Sequence, residues 1–352
     1  MPSPTVVLVG ATGAVGEVMR RLLAERGLPV GEVRLVASAR SVGRRLPVGD
    51  RQVEVGPLVP EVFEDARLAL FSAGGGVSRE WAPVAAARGA VVVDNSSAWR
   101  LNPEVPLVDA DVNPGDALDH PIGIVANPNC TTLAMTPVLA VLRDLFGLVS
   151  ITPTSFQAAG GSGQRGMDEL LEQAAKLVGE GELLRGGDGR GALPRGQVFP
   201  RPLAFNVVPQ CMGFDDSGYT VEELKLRDEP RKILGLPALA SHPTCVRVPV
   251  VVGHSVSVRA VCQRPVDLAA FLAALRRARG VTVAGDGSAE RYPTPLESAG
   301  SDGVLVGRIR ADLADPDAVL FWSVADNLRK GAALNAVQIA ETLLGSRARS
   351  AR

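Results

Sequence analysis

The sequence predicts an α/β protein, on three observations. An apolar run of strand length, Thr5 to Val9, leads directly into Gly10-Ala-Thr-Gly-Ala-Val-Gly16 and then into a helical pattern. Short apolar strands and amphipathic helices go on alternating to about residue 130, the signature of a parallel sheet. The length of 352 residues suits two domains. The expected architecture is a Rossmann-type doubly wound nucleotide-binding domain plus an α+β domain. Residues 1–130 with 326–352 would form the first and 131–325 the second.

Each element has its own justification. Residues 17–26 read as the first helix, with Val18, Leu22 and Leu23 on one face and Gly27 closing it. Residues 32–37 form the second strand. Residues 68–72 form the third, ending in Ala73-Gly-Gly-Gly76. A helix over 79–88 and a strand over 90–93 follow, ending at Asp94. Residues 122–126 are a strand before Asn127-Pro-Asn-Cys130. A helix is expected over 131–146, with Val138, Leu142 and Leu145 inward and Pro137 kinking it or marking its effective start. Beyond residue 130 the texture changes. Residues 150–157 are β-rich, 160–163 a flexible loop and 167–178 a helix. Residues 179–196, rich in Gly and Arg, read as a mobile surface insertion. Strands are expected over 246–252, 255–262 and 303–311, an amphipathic helix over 268–279, and a final helix from about 330 to 344.

Composition narrows the function classes. Lys plus Arg is 37 and Asp plus Glu is 38, a net charge of −1, so no basic surplus draws the chain to nucleic acid or to an anionic membrane. The longest apolar stretch, 133–151, is interrupted by Arg143 and Asp144, so no transmembrane helix is expected. No charged segment and apolar h-region precede the first strand, which points to the cytoplasm. The four cysteines, Cys130, Cys211, Cys245 and Cys262, form no C-x-x-C pair. A zinc site or disulfide scaffold is therefore not expected, and no metal is assigned.

The glycines at 10, 13 and 16 let backbone approach a pyrophosphate at a helix N-terminus. An NAD site carries an acid at the end of the second strand. Here that strand runs into Ser38-Ala-Arg40-Ser41, and these three polar residues suit a 2′-phosphate, so NADP(H) is the expected cofactor. Cys130 lies where a strand ends and a helix starts, at the carboxyl edge of the sheet. A helix N-terminus lowers a thiol's pKa, and Asn129 can cap that helix. Backbone N–H groups at the start of the Thr131 helix are the expected oxyanion donors. His254 is the candidate proton acceptor, with Arg247 seven residues upstream in the same strand region. Glu222 and Lys225, three apart, share a face if their segment is helical.

Together these residues resemble the aspartate-β-semialdehyde dehydrogenase family over nearly the whole chain. The matching blocks are the glycine turn, Asp94-Asn-Ser-Ser97 with Arg100, Asn127-Pro-Asn-Cys-Thr-Thr132, Ser155-Phe-Gln157, Tyr219 to Lys225, Cys245-Val-Arg-Val-Pro249, Gly253-His254 and Ser323 to Leu328. The resemblance implies Cys130 as nucleophile, His254 as acid–base residue and Gln157 orienting the acyl group. It implies Arg247 on the substrate carboxylate, Glu222 on its amino end, and Arg100 and Lys225 on phosphate. Gly10, Thr12, Gly13, Ala14, Val15, Ser38, Arg40, Ser41, Gly160, Gly161 and Asn327 would line the NADP site. The implied reaction is reductive dephosphorylation of L-aspartyl-4-phosphate, a step towards lysine, diaminopimelate, methionine and threonine. Its partners would be the small-molecule substrate, inorganic phosphate and a second copy in a homodimer, possibly a homotetramer. The family more often has Ser at position 160, so the cofactor contacts of Gly160 stand apart. Two other readings compete. N-acetylglutamyl-phosphate reductases share the turn and the Cys/His pair but have Gly at the Asn129 position and Tyr-Pro in place of Thr131-Thr132. A catalytically silent paralogue would serve as a binding protein.

Overall fold

The computed structural model describes residues 3–186, 196–285 and 290–345. Two mixed sheets of seven strands each form the scaffold. In chain order the first half comprises β1 (Thr5–Val9), α1 (Ala14–Glu25), β2 (Glu32–Val36), β3 (Arg45–Val48), β4 (Arg51–Gly56), β5 (Ala66–Phe71), α2 (Gly75–Ala87), β6 (Val91–Asp94), β7 (Ile124–Ala126), α3 (Cys130–Leu133) and α4 (Thr136–Phe146). The second half comprises β8 (Leu148–Gln157), α5 (Gly163–Leu177), α6 (Gly181–Gly186), α7 (Val221–Ile233), β9 (Ala240–Ser241), β10 (Thr244–Arg247), β11 (His254–Cys262), α8 (Leu268–Leu275), β12 (Val281–Val283), α9 (Pro295–Ser298), β13 (Val304–Ala311) and β14 (Ala318–Ala325). A π-helical turn (Arg329–Leu334) then runs into α10 (Asn335–Leu343).

The first sheet has the order β3-β4-β2-β1-β5-β6-β7 and is parallel except for the β3–β4 hairpin at its edge. Its central strands are covered on both faces, which is why β1 is a continuous apolar run and not an alternating one. The chain leaves β1 for β2 on one side and later enters β5 on the other. The crevice at their carboxyl ends is the switch point where open α/β sheets bind ligands. Gly10 closes it: the Gly10 and Ala11 N–H groups donate to the Val36 carbonyl, and Ser72 N–H donates to Val9. The C-terminal turn and α10 pack their apolar side, including Ala333, Leu334, Val337 and Ile339, into the core of this sheet.

The second sheet has the order β10-β8-β11-β14-β13-β12, with β9 beside β8. Its inner face packs on α4 and α8 through Val138, Leu142, Phe271, Val256 and Val258. β8 lies between β10, parallel to it, and β11, antiparallel to it. The end of β8, the end of β10 and the start of β11 therefore meet at one edge. Gln157, Arg247 and His254 occupy those three positions.

Several expectations need correction. The helix over 131–146 is two helices, broken at Ala134 and Met135. Pro137 sits in the first turn of α4, where its missing N–H costs nothing. Leu145 faces outward and Phe146 takes the buried position. The strand over 246–252 stops at Arg247, before Pro249. Arg247 and His254 thus lie on different strands flanking β8. The loop over 160–163 is a 3₁₀ turn, Ala159–Ser162, whose Ala159 and Gly160 are buried and donate to Val250 and Val251 carbonyls. The helix over 268–279 ends at Leu275, and the final helix begins as a π turn. Within the insertion over 179–196, Gly181–Gly186 is helical, and residues 187–195 lie outside the described residues. The β3–β4 hairpin and β14 were not anticipated.

Gly10 has φ +88°, and a Cβ there would lie 2.3 Å from the Ser72 carbonyl oxygen; Gly27 has φ +58° and open space around it. Gly27→Ala should cost about 1 kcal/mol, the left-handed penalty alone. Gly10→Ala adds a backbone collision and should cost about 3 kcal/mol or more. Urea unfolding midpoints measure both, and equal losses would show that the turn relaxes freely.

Candidate active site

A cleft of about 250 Å³ opens between the carboxyl edge of the first sheet and the meeting edge of the second. It is lined by Val15, Ser72, Gly74, Asn95, Arg100, Asn129, Cys130, Gly160, Gly161, Lys225, Asn327 and Gly331, among others. Of the predicted residues it therefore gathers Cys130, Arg100, Lys225, Val15, Gly160, Gly161 and Asn327. Gln157, Glu222, Arg247 and His254 are buried behind this lining. Gly10, Thr12, Gly13 and Ala14 form the turn into α1, and Ser38, Arg40 and Ser41 lie in the turn after β2; none of these seven lines the cleft.

Cys130 is the first residue of α3. The Asn129 side chain caps that helix, accepting from Thr131 N–H at 2.8 Å and Thr132 N–H at 3.3 Å. The cap was legible, and it occupies the Thr131 and Thr132 N–H groups. The thiol is not the low-pKa group that a helix N-terminus suggests. Burial, reinforced by the Glu222 carboxylate, pushes it up to about 11 against the opposing pull of Arg100, Lys225 and Arg247.

Glu222 and Glu229 lie seven residues apart on α7, so both face the site. Glu222 Oε1 accepts from Asn129 Nδ2 at 2.9 Å and Gln157 Nε2 at 3.2 Å, and Oε2 accepts from Lys225 Nζ at 2.8 Å. Burial alone would raise this carboxyl, but Lys225, Asn129 and Arg247 outweigh it and bring it down to about 2, so it stays ionised. Glu229 Oε1 accepts from Arg100 Nη1 at 2.9 Å, and its Oε2 accepts from Asn129 N–H at 2.7 Å. Arg100 also donates through Nε to the Asn127 carbonyl and through Nη2 to that of Asn95. Two of its five N–H groups are left for a ligand.

His254 is fully buried. Its Nδ1 accepts the Ala158 N–H at 3.1 Å. Burial and the nearby Arg247 guanidinium push its pKa down to about 3, so the ring is neutral. With Nδ1 accepting, the proton of the neutral ring is on Nε2, and that nitrogen has no partner. The ring therefore presents a donor in this arrangement. Gly161 makes this arrangement possible: a Cβ there would lie 2.8 Å from Arg247 Nη1 and 2.9 Å from His254 Nε2. Gly331 of the π turn packs against Cys130 in the same way, its ideal Cβ falling 2.8 Å from that of Cys130.

The turn at the head of α1 fits a dinucleotide. Gly13 is its N-cap with no side-chain cap, leaving N–H groups for an anion. A Cβ on Gly16 would lie 2.2 Å from the Gly10 carbonyl oxygen, so the turn tolerates no side chain. Asn327 donates nothing through its buried Nδ2, while its Oδ1 accepts from Gly253 N–H. Residues 5–120 match the family model for the NAD binding domain of semialdehyde dehydrogenases, and residues 139–330 match that for their dimerisation domain.

The chain belongs to the aspartate-semialdehyde dehydrogenase family. It is 47% identical over 338 residues to the enzyme of that name from Streptomyces akiyoshiensis, covering 96% of this chain and 97% of the relative. It is 46% identical over 349 residues to that of Corynebacterium glutamicum, covering 97% and 99%. A crystal structure of aspartate semialdehyde dehydrogenase II from Vibrio cholerae, complexed with ASA, superposes with a TM-score of 0.91 at 39% identity, covering 98% of this chain and 99% of that one. The two competing readings, the N-acetylglutamyl-phosphate reductase and the silent paralogue, are not favoured by these relatives. Among the described residues no helix is long and apolar enough to cross a membrane.

Sequence reasoning missed Glu229 and gave Asn95 no role. A signal for Glu229 existed: it continues the spacing of Glu222 and Leu226 along the buried side of a very polar helix.

Thiolate is the reactive form of cysteine. A Cys130 pKa of about 11 means that iodoacetamide alkylation of the substrate-free protein should rise about tenfold per pH unit from pH 7 to 10. Mass spectrometry of the Cys130 peptide follows the rate. A plateau below pH 8 would show that the thiolate already dominates at neutral pH.

Proposed function

We infer that the protein catalyses the NADPH-dependent conversion of L-aspartyl-4-phosphate to L-aspartate-4-semialdehyde and inorganic phosphate, through a thioester on Cys130. The observation that carries this reading is Cys130 at the head of α3, facing a cleft with Arg100 and Lys225 and backed by Gln157, Glu222, Arg247 and His254. The family and its enzymes support the choice of substrate. NADP(H) as cofactor rests on the fit of the glycine turn and on Arg40 with Ser38 and Ser41, where no acid stands.

In this reading Arg100 and Lys225 take the phosphate, Arg247 the α-carboxylate and Glu222 the amino group. Cys130 attacks the acyl carbon: the C–S bond forms, the C–O bond to phosphate breaks, and the departing phosphate takes the thiol proton. A thioester is a far better electrophile than a carboxylate, so covalent catalysis divides one hard step into two. When bound, the reduced nicotinamide supplies the hydride for the second step. The Nε2–H of His254 supports the acyl oxygen as it becomes negative and keeps its proton; the C–S bond then breaks as the aldehyde forms, and the sulfur takes its proton from solvent. Gln157 orients the acyl group.

Residues 1–130 with 326–352 act as the cofactor unit and 131–325 as the catalytic and dimerisation unit. The matched dimerisation domain supports a homodimer, and a tetramer of two such dimers is compatible with it. The unpaired cysteines suit the reducing cytoplasm.

The test is reduction of NADP⁺ with aspartate semialdehyde and phosphate. Cys130→Ala should lower kcat by about 10⁴ or more, with the Kd for NADPH changed less than threefold. Turnover near that of the wild type would end the thioester reading. His254→Ala should lose about 10²–10³ in kcat, the worth of one oxyanion donor. His254→Gln keeps an N–H and should lose less; equal losses would argue that His254 must accept a proton.

A further inference from the structure

Asn95 follows β6 at the carboxyl edge of the first sheet, and nothing above gives its side chain a task. Its backbone is fixed at both ends. Its N–H donates to the Phe71 carbonyl at 2.9 Å, and its carbonyl accepts from Arg100 Nη2 at 2.8 Å. The turn it belongs to is held by Asp94, which accepts from the Ser96 hydroxyl at 2.6 Å and the Ser96 N–H at 3.2 Å. Within this rigid frame both Asn95 Oδ1 and Asn95 Nδ2 are buried without a hydrogen-bond partner, and the residue lines the cleft. Buried polar groups are almost always paired. A carboxamide with both ends unpaired, beside an open cleft, is a recognition group awaiting a ligand.

The donor and acceptor pair selects the ligand. A phosphate offers acceptors almost exclusively and would face Oδ1 without gain, and Arg100 already serves anions in this cleft. The partner must be a neutral group that both gives and accepts a hydrogen bond. The neighbouring lining, Ser72 and Gly74 after β5 and Val15 from the glycine turn, belongs to the dinucleotide side. We propose that Asn95 is a binding residue for the nicotinamide half of the dinucleotide, pairing with its ribose hydroxyls or its carboxamide, and that it takes no part in holding phosphate. This rests on the NADP(H)-dependent reading given above.

Asn95→Leu keeps the size and removes both polar atoms. Calorimetric titration should show the Kd for NADP⁺ rising about tenfold, the worth of one buried hydrogen bond. The KM for phosphate in the reverse reaction should change less than twofold. Asn95→Ser, too short to reach, should show the same split should the leucine variant fold poorly. The 3-acetylpyridine analogue of NADP⁺, which lacks the amide N–H₂, separates the two partners. A penalty that shrinks with the analogue assigns the carboxamide, and an undiminished penalty assigns the ribose. Unchanged NADP⁺ binding in a folded variant, or a weakening confined to phosphate, overturns the proposal. Failure of the wild-type protein to bind NADP⁺ at all would instead overturn the cofactor reading on which it stands.

Discussion

The site depends on two carboxylates of one helix. Glu222 and Glu229 project from α7 towards the loop between β7 and α3, and between them they hold both ends of Asn129: side chain on Glu222, main chain on Glu229. Asn129 in turn caps the helix that begins with Cys130. Cys130 follows a strand of the first sheet, while Gln157, Arg247 and His254 come from the second, and this bridge helps to set their distance. The same acids also position the cations, Lys225 on Glu222 and Arg100 on Glu229. Removing one partner of such a buried pair leaves an uncompensated charge, which is far costlier than losing a surface ion pair. A rigid cation at a fixed distance from the sulfur is worth having where a phosphate must be held while its bond to carbon breaks.

How much of this could be read from the sequence follows from the range of the forces involved. The glycine turn was legible because strand, turn and helix are contiguous and the steric demand on Gly10 and Gly16 is local. Asn129 as a cap was legible for the same reason. The break before α4 is partly local, since Pro137 marks where a helix can begin. The π turn at Arg329–Leu334 is not: it places Lys330, fully buried, against Asp111 of the first half of the chain, and nothing nearby in sequence announces that pairing. The positions of Gln157, Arg247 and His254 depend on β8 lying between β10 and β11. That ordering brings together residues up to 97 positions apart and is invisible to periodicity. The burial that raises the Cys130 thiol is illegible for the same reason. A helix end is a local feature, and burial is a tertiary one.

These electrostatics favour a particular division of labour in the proposed reaction. Burial pushes the Cys130 thiol up to about 11 and the His254 ring down to about 3, and both shifts disfavour a resting thiolate–imidazolium pair. In the proposed reaction the proton then leaves the sulfur as the sulfur attacks. The group nearest in chemistry to receive it is the phosphate being expelled, whose oxygens gain basicity as the C–O bond lengthens. His254 then keeps its Nε2 proton and can donate a hydrogen bond in the second half, where an acyl oxygen turns anionic. The Ala158 N–H enforces this order by occupying Nδ1. A base strong enough to ionise Cys130 at rest would leave a permanently reactive thiolate exposed to oxidation. In the proposed reaction a neutral pair would confine nucleophilicity to the moment when an acyl phosphate fills the cleft.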